Sequence, residues 1–86
     1  MTAKANCKNV MSSIEDAYII KSQKASKNYM YFEFEEREIE VVFDDESGTW
    51  FITLDNVIFT SVANPKLDDY DLTEVIEGVL EHISED

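Results

Sequence analysis

The side chains of this chain that could do chemistry are mostly carboxylates. They gather in two runs, Asp44-Asp45-Glu46 and the group Asp68, Asp69, Asp71 and Glu74. Carboxylate oxygens are the ligands that hard cations such as Ca²⁺ prefer, so each run is a candidate cation site. Neither run has the alternating spacing and the glycine of an EF-hand loop, and we therefore predict no metal site.

Groups that support catalysis are scarce. Cys7 and His82 are the single cysteine and histidine, so they cannot supply a four-ligand zinc set. Gly48 and Gly78 are the two glycines, which excludes a glycine-rich phosphate loop. We interpret Cys7 as a bystander and His82 as a solvated residue on the charged side of the last helix. The sequence predicts no catalytic residue, no cofactor and no enzyme, but a protein that binds.

The charge of the chain restricts its partners. Asp and Glu number 19 against 7 Lys and Arg, which gives a net charge of −12. Most of the lysines lie in residues 1–28, and Arg37 and Lys66 are the bases that follow. An acidic body repels nucleic acid and anionic membranes and attracts basic surfaces. We expect a basic protein partner, without direct nucleic-acid or membrane binding, and the sequence leaves a homodimer open.

The length of 86 residues predicts a single domain over residues 1–86. Residues 1–9 are predicted to be flexible because they lack apolar periodicity. The first lysines are not followed by an apolar run, and a single cysteine suits a reducing compartment. We therefore expect a cytoplasmic protein of a bacterial host cell.

Helical spacing marks both ends of the chain. Ser12-Ser13-Ile14-Glu15 fits a capping box, which predicts a short helix over residues 12–24. Tyr18-Ile19-Ile20 is also compatible with a strand, and the lysine-bearing segment 21–27 is expected to be solvated. In the last helix, Asp71 is the predicted cap and Glu74 completes its box. Its apolar positions at helical spacing are Leu72, Val75, Ile76, Val79, Leu80 and Ile83.

Between these helices the apolar period changes to two. Residues 29–35 and 38–43 have apolar side chains at every second position, with Glu33, Glu35, Glu38 and Glu40 on the opposite face, and a turn at Glu36-Arg37 joins them into a hairpin. Thr49–Leu54 is the third predicted strand, and Asp55-Asn56 turns the chain into a fourth, Val57–Thr60. The sequence predicts an α+β fold, in which the C-terminal helix packs on a three- to four-stranded antiparallel sheet. Gly78 inside that helix costs about 1 kcal/mol relative to alanine, which a close approach to the sheet would explain.

The predicted elements place acids on two solvent-facing surfaces. A turn at Glu36-Arg37 puts Glu35 opposite Glu38 and Glu33 opposite Glu40, and like charges across a ladder destabilise by roughly 0.2–1 kcal/mol each. A surface complementary to a basic partner would explain this repulsion, and the alternative is that the acids only keep the protein soluble. Tyr29, Tyr31 and Phe51 are candidate anchors, because binding hot spots favour aromatic residues. The predicted partner-binding residues are Glu33, Glu35, Glu38, Glu40, Glu74, Glu77, Glu81, Glu85, Tyr29 and Tyr31.

One stretch carries a family resemblance. Its residues are Phe34, Glu38-Ile39, Val41, Asp45, Trp50-Phe51, Asp55, Val57 and Asn64-Pro65. Over residues 32–66 this pattern resembles the opening of Bro-N domains, which occur in phage antirepressors. The resemblance implies a phage or prophage origin and a regulatory domain that binds a repressor or itself. After Asn64-Pro65 the chain departs from the Bro-N pattern, because it is shorter and lacks the basic residues.

A second resemblance is one of type and involves no motif. Small, strongly acidic proteins with carboxylates on a sheet and a helix resemble phage-encoded DNA mimics, which include anti-restriction and anti-CRISPR inhibitors. Such proteins present carboxylates where a nucleic-acid-binding enzyme expects phosphates. The sequence therefore favours an inhibitor of a basic, nucleic-acid-binding protein, with the Bro-N-like regulatory domain as the alternative.

Overall fold

The computed structural model describes residues 1–85, which form two α-helices and one five-stranded antiparallel sheet. Each strand pairs with the next along the chain, so the sheet is a meander. The elements are α1 (Cys7–Ala17), β1 (Lys21–Ser26), β2 (Tyr29–Phe34), β3 (Arg37–Asp44), β4 (Thr49–Leu54), β5 (Val57–Val62) and α2 (Asp69–Ser84). The predicted α+β class and N-terminal helix are confirmed, and the sheet has one strand more than the predicted maximum. Within residues 1–85, neither helix is both long and apolar enough to span a bilayer.

Helix α1 begins at Cys7 because Asn6 caps it. The Asn6 side chain accepts a hydrogen bond from the Lys8 backbone N–H (3.0 Å), which satisfies a free donor of the first turn. The predicted cap residues Ser12 and Ser13 lie inside the helix instead. Their hydroxyls donate to carbonyls one turn back, so the prediction of a helix starting at residue 12 is wrong.

The segments that flank α1 also differ from the prediction. Residues 1–9, which the sequence predicts to be flexible, pack against the fold: Ala3 and Ala5 are buried, and Lys4 N–H donates to the Pro65 carbonyl (2.9 Å). After α1, residues 18–20 are neither helix nor strand, so both alternatives for that segment are wrong. The exposed segment that follows is strand β1, which the sequence does not reveal because it buries no apolar face.

The β2–β3 hairpin turns one residue earlier than predicted. Glu35 and Glu36 both have positive φ (50° and 65°), the backbone of a two-residue type I′ loop, whose twist matches the flanking strands. The register therefore pairs Glu33 with Glu38, and Tyr31 takes the predicted place of Glu33 opposite Glu40. The predicted pairs Glu35–Glu38 and Glu33–Glu40 are wrong. Each side chain nevertheless keeps its predicted face, because the pairing shifts by two residues.

The core lies between one face of the sheet and the two helices. The sheet contributes Met30, Phe32, Ile39, Val41, Trp50 and Ile52, all at 0 % exposure. Helix α2 contributes Leu72, Ile76, Val79, Leu80 and Ile83, as its spacing predicts. Its N-cap is Asp68 rather than Asp71, since the Asp68 carboxylate accepts the Asp71 N–H at 2.8 Å. Within residues 1–85, no helix or strand covers the opposite sheet face, which we call the open face.

The two helices run in the same direction across the sheet. At one end, the Asn6 N–H donates to Oδ1 of Asp69 (2.7 Å), which joins the two helix N-termini. At the other end, Ser84 Oγ contacts Glu35 Oε2 in the β2–β3 turn (3.4 Å). We call this second end, with the β2–β3 and β4–β5 turns and both helix C-termini, the acidic end. The opposite end, with the helix N-termini and the β1–β2 turn, is the lysine end.

Candidate protein-binding surface

The acidic end brings together carboxylates from both helices and two turns. These are Glu15 and Asp16 in α1, Glu35 and Glu36 in the β2–β3 turn, Asp55 in the β4–β5 turn, and Glu81 and Glu85 in and after α2. The two helix dipoles add partial negative charge at the same end. The base Arg37 bonds through Nε to Asp55, so its charge is already paired. The carboxyl group of Asp55 has a lowered pKa, because it accepts the Glu38 N–H and then the Arg37 hydrogen bond.

An open cavity of about 590 Å³ lies at this end, between the segment after α1 and the β2–β3 turn. The rings of Tyr18 and Phe34 meet edge to face at 5.7 Å and form an aromatic wall. Glu33, Glu35 and Glu36 supply its carboxylates, and Lys21 lies at the start of β1 on the same cavity. Aromatic faces combined with carboxylates are the chemistry that holds a guanidinium or ammonium group.

The open face carries a row of tyrosines bonded to acids. Tyr29 Oη donates to Glu40 Oε2 at 3.0 Å. Tyr31 Oη lies 2.9 Å from Glu38 Oε1 and 3.3 Å from Glu33 Oε1. A phenol has one proton, so the shorter contact to Glu38 takes it and Glu33 is held at the edge of hydrogen-bond range. The predicted site residues of β2 and β3 therefore lie together, and tyrosine–glutamate hydrogen bonds order them, whereas the sequence alone indicates free charges.

This network changes the acidity of Tyr31. Its hydrogen bond to Glu38 is the largest cause, and the charges of Glu38 and Glu33 oppose a further negative charge beside them. The pKa of Tyr31 rises from 10.0 to about 12. The hydroxyl therefore keeps its proton at neutral pH and separates the like-charged pair that the register places face to face.

The predicted acids of α2 do not join the open face, because α2 lies on the other side of the sheet. Glu77 and Glu81 face the segment after α1, where their charges add to burial in raising the pKa of Tyr18. Glu74 in α2 and Glu85 directly after it are exposed. The two predicted patches are therefore separate surfaces, connected around the acidic end by Glu35 and its contact with Ser84.

The lysine end has a mixed charge. It holds the amino group of Met1, which donates to the Asp45 carbonyl (2.8 Å), and the Lys27 ammonium, which donates to the Ala3 carbonyl (3.4 Å). Its other lysines are Lys4, Lys8 and Lys66, and its acids are Asp44, Asp45, Glu46, Asp68, Asp69 and Asp71. The excess of negative charge is consequently concentrated at the acidic end.

The two carboxylate runs at the lysine end have structural partners. Asp44 accepts from Ser47 Oγ (2.8 Å) and the Glu46 N–H (3.1 Å), and these bonds lower the pKa of its carboxyl group. Asp69 accepts from the Asn6 N–H and from Asn9 Nδ2. Across residues 1–85, no three His, Cys, Asp or Glu side chains converge in a way that could hold a metal ion.

The structure places Cys7 in the core and His82 beside β5. Cys7 is buried in the first turn of α1, where burial and then the charge of Asp69 raise its pKa to about 12. His82 is exposed, as predicted, and its ring lies 5.0 Å from that of Phe59 in β5. It therefore occupies the flank of α2 opposite to Glu77 and Glu81.

Sequence reasoning misses several residues of the acidic end: Glu15, Asp16, Tyr18, Glu36 and Asp55. They come from segments that are far apart in the chain, so their convergence depends on the parallel course of the helices. The signal that was available is the absence of any base in the last turn of α1, where a cation would stabilise the helix.

Protein-family models, curated protein sequences and solved structures show no match to the chain. The Bro-N resemblance and the resemblance to DNA mimics remain predictions.

Proposed function

We propose that this protein binds a basic surface of a nucleic-acid-binding protein and competes there with nucleic acid. Its type would be a DNA-mimic inhibitor encoded by a phage or mobile element, of the anti-CRISPR or anti-restriction kind. The observation that carries the proposal is the acidic end, where helix C-termini, turn carboxylates and an aromatic-walled cavity coincide. Solubility alone requires none of this convergence.

The cavity supplies the specific contact. An arginine or lysine of the partner enters between Tyr18 and the carboxylates of Glu33, Glu35 and Glu36. Charge-assisted hydrogen bonds to these carboxylates are roughly twice as strong as neutral ones, and an aromatic wall adds a cation–π contact. An arginine bound in this way is a typical centre of an interface hot spot.

The open face supplies a second, preorganised contact area beside the cavity. Glu33 belongs to both, since it lines the cavity and lies within reach of Tyr31. The tyrosine hydroxyls hold Glu38 and Glu40 in place before any partner arrives. Fewer side chains therefore have to be ordered on binding, which lowers the entropic cost of association.

The alternative is the Bro-N-like regulatory domain, which binds a repressor or its own copy. Apolar contacts would dominate that function, and the exposed apolar residues of β5 favour it. The two functions differ in how binding responds to salt and charge, because screening weakens charge steering far more than apolar contact.

A pair of matched charge reversals tests the proposal. Glu36→Lys with Glu85→Lys changes the acidic end, whereas Asp45→Lys with Glu46→Lys makes the same net change at the lysine end. Tagged wild-type protein captures partners from a bacterial lysate, and the affinity of the captured protein for each variant is then measured across salt. We expect a basic nucleic-acid-binding protein, steep weakening with salt, competition by DNA or RNA, and loss of affinity mainly in the first variant through slower association.

Two outcomes would contradict the proposal. Equal losses from both variants would mean that net charge matters and the acidic end does not. Salt-insensitive binding that neither variant affects would favour the regulatory alternative.

A further inference from the structure

Strand β5 is an open sheet edge with an apolar surface. Val57, Ile58 and Phe59 are 68 %, 61 % and 42 % exposed, although they lie in one strand. Across residues 1–85, no other strand pairs with the outer side of β5. From Val57 to Asn64 the chain carries no charged residue, in a protein whose net charge is −12. An exposed apolar edge of this kind is a template for another strand.

The other edge of the sheet has the usual protection. Strand β1 carries Lys21 and Lys24, and its register with β2 shifts between them. Ser22 in this bulge has a φ of 56°. Lysines and bulges on edge strands prevent pairing with other chains. Strand β5 also has a bulge at Phe59, but it has no charge, so the two edges differ in the feature that repels a second strand.

The flank of α2 above β5 carries His82 and Gly78. The His82 ring contacts Phe59, and Gly78 lies one turn earlier on the same side of the helix. A Cβ on Gly78 would meet no atom within 4 Å, so the expected close approach to the sheet is wrong. Gly78 lowers the stability of the isolated chain by about 1 kcal/mol relative to alanine, and no contact within the chain explains it. Space for a neighbouring molecule above β5 would supply one.

We propose that β5 pairs antiparallel with β5 of a second copy of this chain about a two-fold axis, which joins the two sheets edge to edge. The uncharged edge and the two opposite charges that flank it in sequence identify a second copy as the occupant. The two-fold axis reverses the second molecule, so the acidic end of each copy lies beside the lysine end of the other. Asp55 before β5 then comes near Lys66, which follows β5 in the second copy. Like charges are absent from the strand itself, and the two-fold axis keeps the two acidic ends apart.

This dimer is independent of the proposed function. The cavity and Glu33 lie beside β1 and β2, at the far side of the sheet from β5. Dimerisation leaves both cavities open and points them toward opposite ends of the assembly. A bivalent partner-binding protein would result if both proposals hold, and failure of either leaves the other standing.

Sedimentation equilibrium of the full chain across a dilution series tests the dimer. Ile58→Lys and, separately, Val57→Lys place a charge on the edge at exposed positions that do not support the core. Ile19→Lys is the matched control, since Ile19 is 88 % exposed and distant from β5. We expect a dimer for the wild type and the control, and a dissociation constant raised about tenfold or more for both edge variants.

Hydrogen exchange gives a second readout that does not depend on any substitution. Backbone amides of Val57–Val62 should exchange more slowly at concentrations where the wild type is dimeric than after dilution. A monomeric wild type, or a dimer that both edge variants leave unchanged, would overturn the proposal. Exchange in β5 that is independent of concentration would also overturn it.

Discussion

At the scale of single residues, the hydroxyl of Tyr31 organises the open face. The register places Glu33 directly opposite Glu38, and Tyr31 Oη reaches both carboxylates. Sequence reasoning finds the three residues but treats the acids as free charges. The hydrogen bonds could not be predicted, because the β2–β3 turn sits one residue earlier than the pattern indicates and each acid meets a different neighbour.

Tyr31→Phe should reduce the alkaline sensitivity of stability. The pKa of Tyr31 is about 12 in the fold against about 10 in an unfolded chain, so the folded state favours the protonated phenol. Its stabilising contribution is complete below about pH 10 and is lost as the pH rises through 12. Chemical denaturation between these values should show a shallower fall for the variant than for the wild type.

Tyrosinate absorbance provides the control for this experiment. The pKa values of Tyr18, Tyr29 and Tyr70 are also raised, and those groups remain in both proteins. The variant should therefore lose one late-titrating phenol and keep the others. Identical pH profiles for the two proteins would show that Tyr31 is not held by Glu38.

At the scale of elements, the sequence predicts structure best where one face is buried. Strands β2, β3 and β4 follow from the alternation of apolar and polar residues, and the apolar stripe of α2 follows from helical spacing. Strand β5 buries little, and the Asp55-Asn56 turn before it is what reveals it. Strand β1 is not predicted, because it buries almost no side chain and is a strand only through its pairing with β2. The start of α1 is not predicted correctly, because the true cap is Asn6 while the capping-box pattern at Ser12 indicates a later start.

Replacing each of the two glycines by alanine should change the stability of the protein in opposite directions. Gly78→Ala should stabilise the protein by about 1 kcal/mol, because the new methyl group meets open space and alanine favours the helix. Gly48→Ala should destabilise it, because Gly48 has a φ of 68° and its Cβ would lie 2.5 Å from Met1 Sδ. Urea unfolding of both variants, made in the Ile58→Lys background, measures these changes without a contribution from self-association. Destabilisation by Gly78→Ala would show that Gly78 has a contact within the monomer.

At the scale of the whole molecule, the charge asymmetry of the sequence becomes a spatial one. The N-terminal lysines Lys4 and Lys8 remain at the end where both helices begin, while the acids of the turns and helix C-termini meet at the other. The composition predicts an acidic protein, and it cannot predict this polarity. The parallel course of α1 and α2 creates it, and that course rests on packing and on the Asn6–Asp69 contact.

The polarity predicts how salt affects the stability of the free protein. Salt screens the repulsion among carboxylates at the acidic end, so the free energy of unfolding should increase from low to moderate ionic strength. Glu36→Lys with Glu85→Lys removes part of that repulsion and should flatten the increase. Asp45→Lys with Glu46→Lys adds the same charge beside Lys4, Lys27 and the amino terminus, where less repulsion exists to relieve, and should keep a steeper salt dependence. Denaturation of the three proteins in NaCl measures the slopes, and a wild-type stability that falls with salt would contradict an uncompensated acidic end.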